Sequence, residues 1–189
     1  MLSLSYKLED ALIIGSEVYN LNLSFDNVLR IFDMLQSNDL EVFQKPYFAL
    51  FMLTGETFEK YSFDDVAEFL DSILEEHIKN KEFNSLEYDL AGNLMPVQEV
   101  ENEEQLYSLK YDADYIFASF FQAYNIDLIE MQGKLHWKKF NALLNGLPED
   151  TKFMEVVKIR AYKPSKYDSP EYKEQIKKLQ RQYELPVDD

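Results

Sequence analysis

From Ser24 onward, apolar residues recur at three- and four-residue spacing in one run after another. Most of these runs open on a residue that caps helices. Ser24 precedes Phe25, Val28, Leu29, Phe32 and Leu35, which predicts a helix to about Gln36. A second helix is expected over 41–53, ending before Gly55, with Pro46 in its first turn or at a kink. Ser62 caps a third, from Phe63 to about Lys79. Its acids come early and Lys79 and Lys81 come late, as the helix dipole prefers. Ser108 is placed to cap a helix ending near Tyr124, with Asn125 as its left-handed terminator. Asp127 to Glu130 has the spacing of a capping box opening a short helix interrupted by Gly133. Helices are then expected over 134–145, from Pro148 and Asp150 through about Ala161, and from Ser169-Pro170-Glu171 to about Tyr183.

Only the N-terminus carries a different period. Leu2, Leu4, Tyr6 and Leu8 alternate with polar residues, which predicts a half-buried strand. Ala11 to Ile14, Gly15-Ser16 and Glu17 to Asn22 read as a β-hairpin with a tight, glycine-led turn. The expected class is therefore mainly α, a helical bundle with a short N-terminal β-hairpin. Gly92, Pro96 and the acidic run at 99–104 read as an exposed linker. This divides the chain into 1–81, a loop at 82–107, and 108–189.

With 189 residues, 46% of them hydrophobic and 15% aromatic, a chain of this kind can bury a real core. It has no cysteine, which excludes disulfides, thiolate zinc sites, iron–sulfur clusters and thiol nucleophiles. Two histidines exclude a multi-histidine metal centre. The longest apolar run, Tyr47 to Leu53, is too short to span a bilayer. Met1 to Asp10 has no secretory pattern, so a soluble intracellular protein is the expectation. The formal charge is −16, with 13 acidic and 2 basic groups in residues 61–108. Such a surface repels phosphate backbones and anionic membrane faces, so neither nucleic acid nor membrane is an expected partner. The charge serves solubility, or steering toward a basic partner. The tail at 151–189 holds nine basic and seven acidic residues. It reads as a solvated helix face, or as a segment that meets the acidic middle within one chain or between copies, which adds self-association.

The helix expected over 109–124 is apolar nearly all round. Leu109, Ala113, Ile116, Phe117, Phe120 and Tyr124 form one stripe, and Tyr111, Tyr115, Ala118 and Phe121 fill much of the rest. Such a helix is either the centre of a bundle or carries a partner-binding face. Asp112 and Asp114 point to different faces and read as dipole complements rather than ligands. His136 beside Trp137 reads as a packed or interfacial pair, since nothing in the sequence orients it as a base. No nucleophile elbow, phosphate loop or dinucleotide fingerprint is present. No enzyme activity and no cofactor are expected. Aromatic and arginine residues dominate interaction hot spots. The interaction surface is accordingly expected around Tyr115, Phe121, His136 and Trp137, with Arg160 as a charged anchor.

One stretch carries a resemblance. Asp112 to Ile116, Phe120, Tyr124 to Leu128, Leu135-His136-Trp137, Phe140, Leu143-Leu144 and Leu147 to Thr151 resemble the bacteriophage "gp fifteen" family of tailed phages of Gram-positive bacteria. The similarity continues more weakly through Arg160 to Leu185-Pro186. The family tends to have Gly where Asn125 stands, and a second aromatic after the Trp where Lys138 stands. The resemblance implies a place in tail morphogenesis as a non-enzymatic chaperone, or its companion, for the tape-measure protein. Tail-tube and chaperone proteins would be further partners, and the site of action would be the host cytoplasm during assembly. A component retained in the virion tail, and an acidic host-directed inhibitor, are the competing readings.

Overall fold

The computed structural model describes residues 4–78 and 105–186. Among them are seven α-helices and one two-stranded sheet. The chain divides into two compact units. One holds residues 4–78 together with Gln132–Ala142, and the other holds residues 105–131 and 143–186.

In the first unit, strands β1 (Ala11–Ile14) and β2 (Glu17–Asn20) pair antiparallel with Leu12 opposite Tyr19 and Ile13 opposite Val18. Gly15 makes the turn at φ +61°, a conformation that a Cβ would strain. The strand expected from Leu2 to Leu8 does not form over the described residues, and Leu4 and Tyr6 are exposed. Alternation makes a strand only where a neighbouring strand accepts its hydrogen bonds, and this sheet ends at β1.

Helix α1 (Phe25–Gln36) has the predicted bounds. Ser24 has the extended backbone of an N-cap, but its hydroxyl donates to the Asn22 side chain at 2.9 Å instead of capping. A 3₁₀ turn (Val42–Gln44) leads into α2 (Lys45–Thr54), with Pro46 in the first turn and Gly55 closing the helix at φ +76°. Lys45 is buried, and its ammonium donates to the Leu35 carbonyl at 2.7 Å, a cation on the C-terminal end of α1. Asn27 donates to the carbonyls of Asn22 and Met52, both at 2.9 Å, which fastens α1 to the end of α2. Helix α3 (Phe63–Ile73) starts on a reciprocal capping box between Ser62 and Asp65. It continues as a π turn (Leu74–Ile78). Val28, Ile31, Leu50, Leu53, Phe58, Val66 and Ile73 are buried between these elements. Each such side chain contributes about 1.5–3 kcal/mol.

The compact units do not follow the division expected from sequence: residues 105–107, expected in the linker, lie in the second unit. Gln132–Ala142 belongs with the first unit, not with 108–189. The Phe25 amide donates to Leu135 and the Trp137 amide to Leu23, at 2.9 and 2.7 Å, forming a bridge across Ser24 and His136. That pairing also explains why α5 (Trp137–Asn145) starts three residues later than expected. Of the expected linker at 82–107, residues 82–104 lie outside the described residues.

In the second unit, α4 (Ala113–Tyr124) begins at Ala113 and not after Ser108. Asp112, φ −100° and ψ 14°, is drawn out of helical geometry by the bonds described below. Asn125 terminates the helix at φ +52°, as expected. The Asp127 carboxylate accepts the amides of Ile129 and Glu130, but turns follow instead of a helix. Helix α6 (Lys152–Ala161) is capped from a neighbour: the buried Ser119 hydroxyl of α4 accepts the Phe153 amide at 2.9 Å. Helix α7 (Pro170–Gln182) matches its expected start and is capped by Ser169.

Candidate functional site

The first unit brings both histidines of the chain to one carboxylate. Asp10 lies just ahead of β1, His77 on the π turn, and His136 ahead of α5. His136 Nδ1 accepts the Lys138 amide at 2.9 Å, so the proton of its neutral ring sits on Nε2. Nε2 then donates to Asp10 Oδ2 at 2.7 Å. Burial is the larger influence and pushes His136 below its ordinary value, while the Asp10 carboxylate offsets part of that shift. His77 Nδ1 lies 3.5 Å from Asp10 Oδ1, yet among the described residues neither atom has a hydrogen-bond partner. His77 Nε2 faces Glu76 at 3.8 Å. With both ring nitrogens occupied, His136 is held as a tie between segments. Sequence reasoning missed this orienting partner because Asp10 is 126 residues away.

Trp137 is 1% exposed. Its indole N–H donates to the Ile78 carbonyl at 3.0 Å, and its ring packs on Phe32 and Phe140 with centroids 5.8 and 5.7 Å apart. It is a core residue of this unit, not a surface one.

The other three expected site residues lie in the second unit, so the five do not form one surface within either unit. Phe121 is 51% exposed and stacks over Phe117 at 6.5 Å, which leaves an apolar face on α4. Ile116, Ser119 and Phe120 make the buried face of the same helix. Tyr115 is half-buried, edge-on to Tyr183 at 6.0 Å. Arg160 is turned inward. Its guanidinium grips Asp112 with two bonds of 2.6 and 2.8 Å and also donates to the carbonyls of Leu106 and Tyr183. Asp112 is 1% exposed and accepts the Ser108 amide as well. The dipole reading suits Asp114, which is in the first turn, but Asp112 is one half of a buried ion pair.

A second apolar face was not anticipated. Phe48 and Phe51, three apart on α2, are 46% and 49% exposed, with exposed Phe43 and Val42 just ahead. The signal was present in the sequence. After Lys45, α2 carries no charged residue, and its other side is already filled by Ala49, Leu50 and Leu53. On the hairpin, Ile13 and Val18 are exposed cross-strand partners. Aromatic side chains on solvent-facing helix surfaces are the composition of protein interfaces.

Among the described residues, no group of three or more His, Asp or Glu side chains is arranged to hold a metal ion, and no helix is long and apolar enough to cross a membrane. The arrangement defines a mainly helical, acidic protein with a short hairpin and exposed aromatic helix faces. The chain belongs to the family described as Bacteriophage Gp15 protein, which matches residues 8–185. No match was found among the curated proteins or the solved structures.

Proposed function

We propose that this phage protein is a non-enzymatic tail-assembly factor, a chaperone or companion that holds the tape-measure protein during tail morphogenesis in the host cytoplasm. The observation that carries the reading is the apolar face of α2, where Phe48 and Phe51 stand in solvent on a chain of net charge −16. A long helical client exposes apolar stripes before it is enclosed. Exposed aromatics cover such stripes while an acidic surface keeps the complex soluble and favours a basic client. The inward-facing roles of His136 and Arg160 support a binding protein over a catalyst, since their polar atoms are spent on the fold.

Co-expression with the tape-measure protein of the same phage tests this. A copurifying complex and more soluble tape-measure protein are expected, with little of this chain in purified virions. Insoluble tape-measure protein and no complex would refute the reading, and stoichiometric retention in virions would make the chain a tail component.

A further inference from the structure

Helices α6 and α7 of the second unit meet at the C-terminal end of α6, where the Arg160 guanidinium donates to the Tyr183 carbonyl. Tyr172 meets Tyr162 there, and the Lys152 side chain reaches the Tyr183 hydroxyl. Gln180 fastens them by donating to the carbonyls of Ile159 and Tyr162 at 3.0 and 2.9 Å. The apolar stripe of α7, Tyr172, Ile176 and Leu179, is nevertheless incompletely covered, and no residue of that helix is buried. Beside it the seam opens into a cleft of about 380 Å³.

The lining of this cleft has a definite chemistry. Ile159 and Ile176 supply alkyl surface. Tyr162 and Tyr172 stand at 86° with centroids 5.8 Å apart, so their faces point in two directions. The Tyr162 ring is pinned, because its hydroxyl donates to Asp168, which also accepts the Ser165 amide at 2.7 Å. Glu149, Asp150 and Glu155 line the cleft against one ammonium, that of Lys158. Lys158 is drawn aside to Glu149 at 2.7 Å, and Glu155 faces Lys152 at 3.2 Å. Among the described residues, Asp150 has no ion-pair partner. Alkyl surface, angled aromatic rings and an unneutralised carboxylate are together complementary to a cation on an alkyl stem.

We propose that this cleft takes a basic side chain projecting from a partner polypeptide, its stem along Ile159 and Ile176 and its charge beside Tyr162, Tyr172 and Asp150. The excess of carboxylate selects a cation, and the open seam admits a side chain presented on a helix. The inference rests on the cleft alone, so it and the tape-measure reading fail separately.

Amide-resolved NMR of the full chain tests it, with n-butylammonium as probe and n-butanol as the neutral control at equal ionic strength. Saturable shifts around residues 149–162 and 172–176 are expected with the ammonium and not with the alcohol. Tyr172→Ala, at a half-exposed position, and Asp150→Asn with Glu155→Gln should each weaken binding about tenfold while leaving the remaining spectrum in place. An amphipathic peptide bearing lysines along one face should displace butylammonium, and its glutamine counterpart should not. Non-saturating shifts, equal response to butanol, variants that bind as well as the parent, or a lysine peptide that binds without displacing the probe would each overturn the proposal.

Discussion

Arg160 shows how a residue that looks like a surface anchor can be spent inside a fold. Its charge and Asp112 are desolvated together, and their mutual bonds make that tolerable. Arg160→Met leaves a buried carboxylate without its cation and should cost about 3–5 kcal/mol in urea unfolding. Adding Asp112→Asn should restore part of the loss, and a double-mutant cycle without coupling would contradict the pairing. His136 makes a second prediction at this scale. Its folded value lies below the ordinary 6.5, so the unfolded chain takes up a proton that the folded chain resists. Its contribution is therefore complete above about pH 6.5 and is lost as pH falls below that value. The Lys138 amide must also give up Nδ1 when the ring is protonated. Trp137, the single tryptophan, sits next in the chain and reports on unfolding by fluorescence. Stability measured from pH 7.5 to 5.5 should fall less steeply in His136→Gln than in the parent; equal slopes would remove His136 as the titrating group.

Individual elements differ in how plainly they were written. Helices α1 and α7 and the hairpin match their expected bounds almost residue for residue, because their signals act within one turn: Gly15 at the hairpin, Ser169-Pro170 at α7, and the spacing of Phe25 to Leu35. Helices α4 and α5 start late because distant partners claim their first residues. Arg160 holds Asp112, and the bridge to Leu23 and Phe25 holds residues 135–137. The Leu2–Leu8 alternation failed for lack of a neighbouring strand. Helix α2 carries the test at this scale. Phe48→Ser with Phe51→Ser removes two rings that are each about half covered, so unfolding free energy should fall by about 1–3 kcal/mol with the fold retained. Recovery of tape-measure protein on co-expression should drop about tenfold. Unaltered recovery would take α2 out of client binding.

At the scale of the whole molecule, the charge of −16 has a measurable consequence. If the client is basic, its capture should weaken between 0.1 and 0.5 M salt as the acidic surface is screened, over a Debye length that shrinks from about 10 Å toward a few ångströms. Capture that strengthens with salt would show that apolar contact alone holds the client. Amino-acid order alone was enough for the helical class, the hairpin, most helix ends, the acidic surface and the family string at 111–151, since each depends on neighbours a few residues apart or on composition. Folding in three dimensions was needed to put Asp10 against His136, Arg160 on Asp112 and Ser119 on the start of α6, and to leave Phe48 and Phe51 outside. Those outcomes depend on which segments meet when the chain collapses, and a bond between residues 126 positions apart has no local period or cap to announce it.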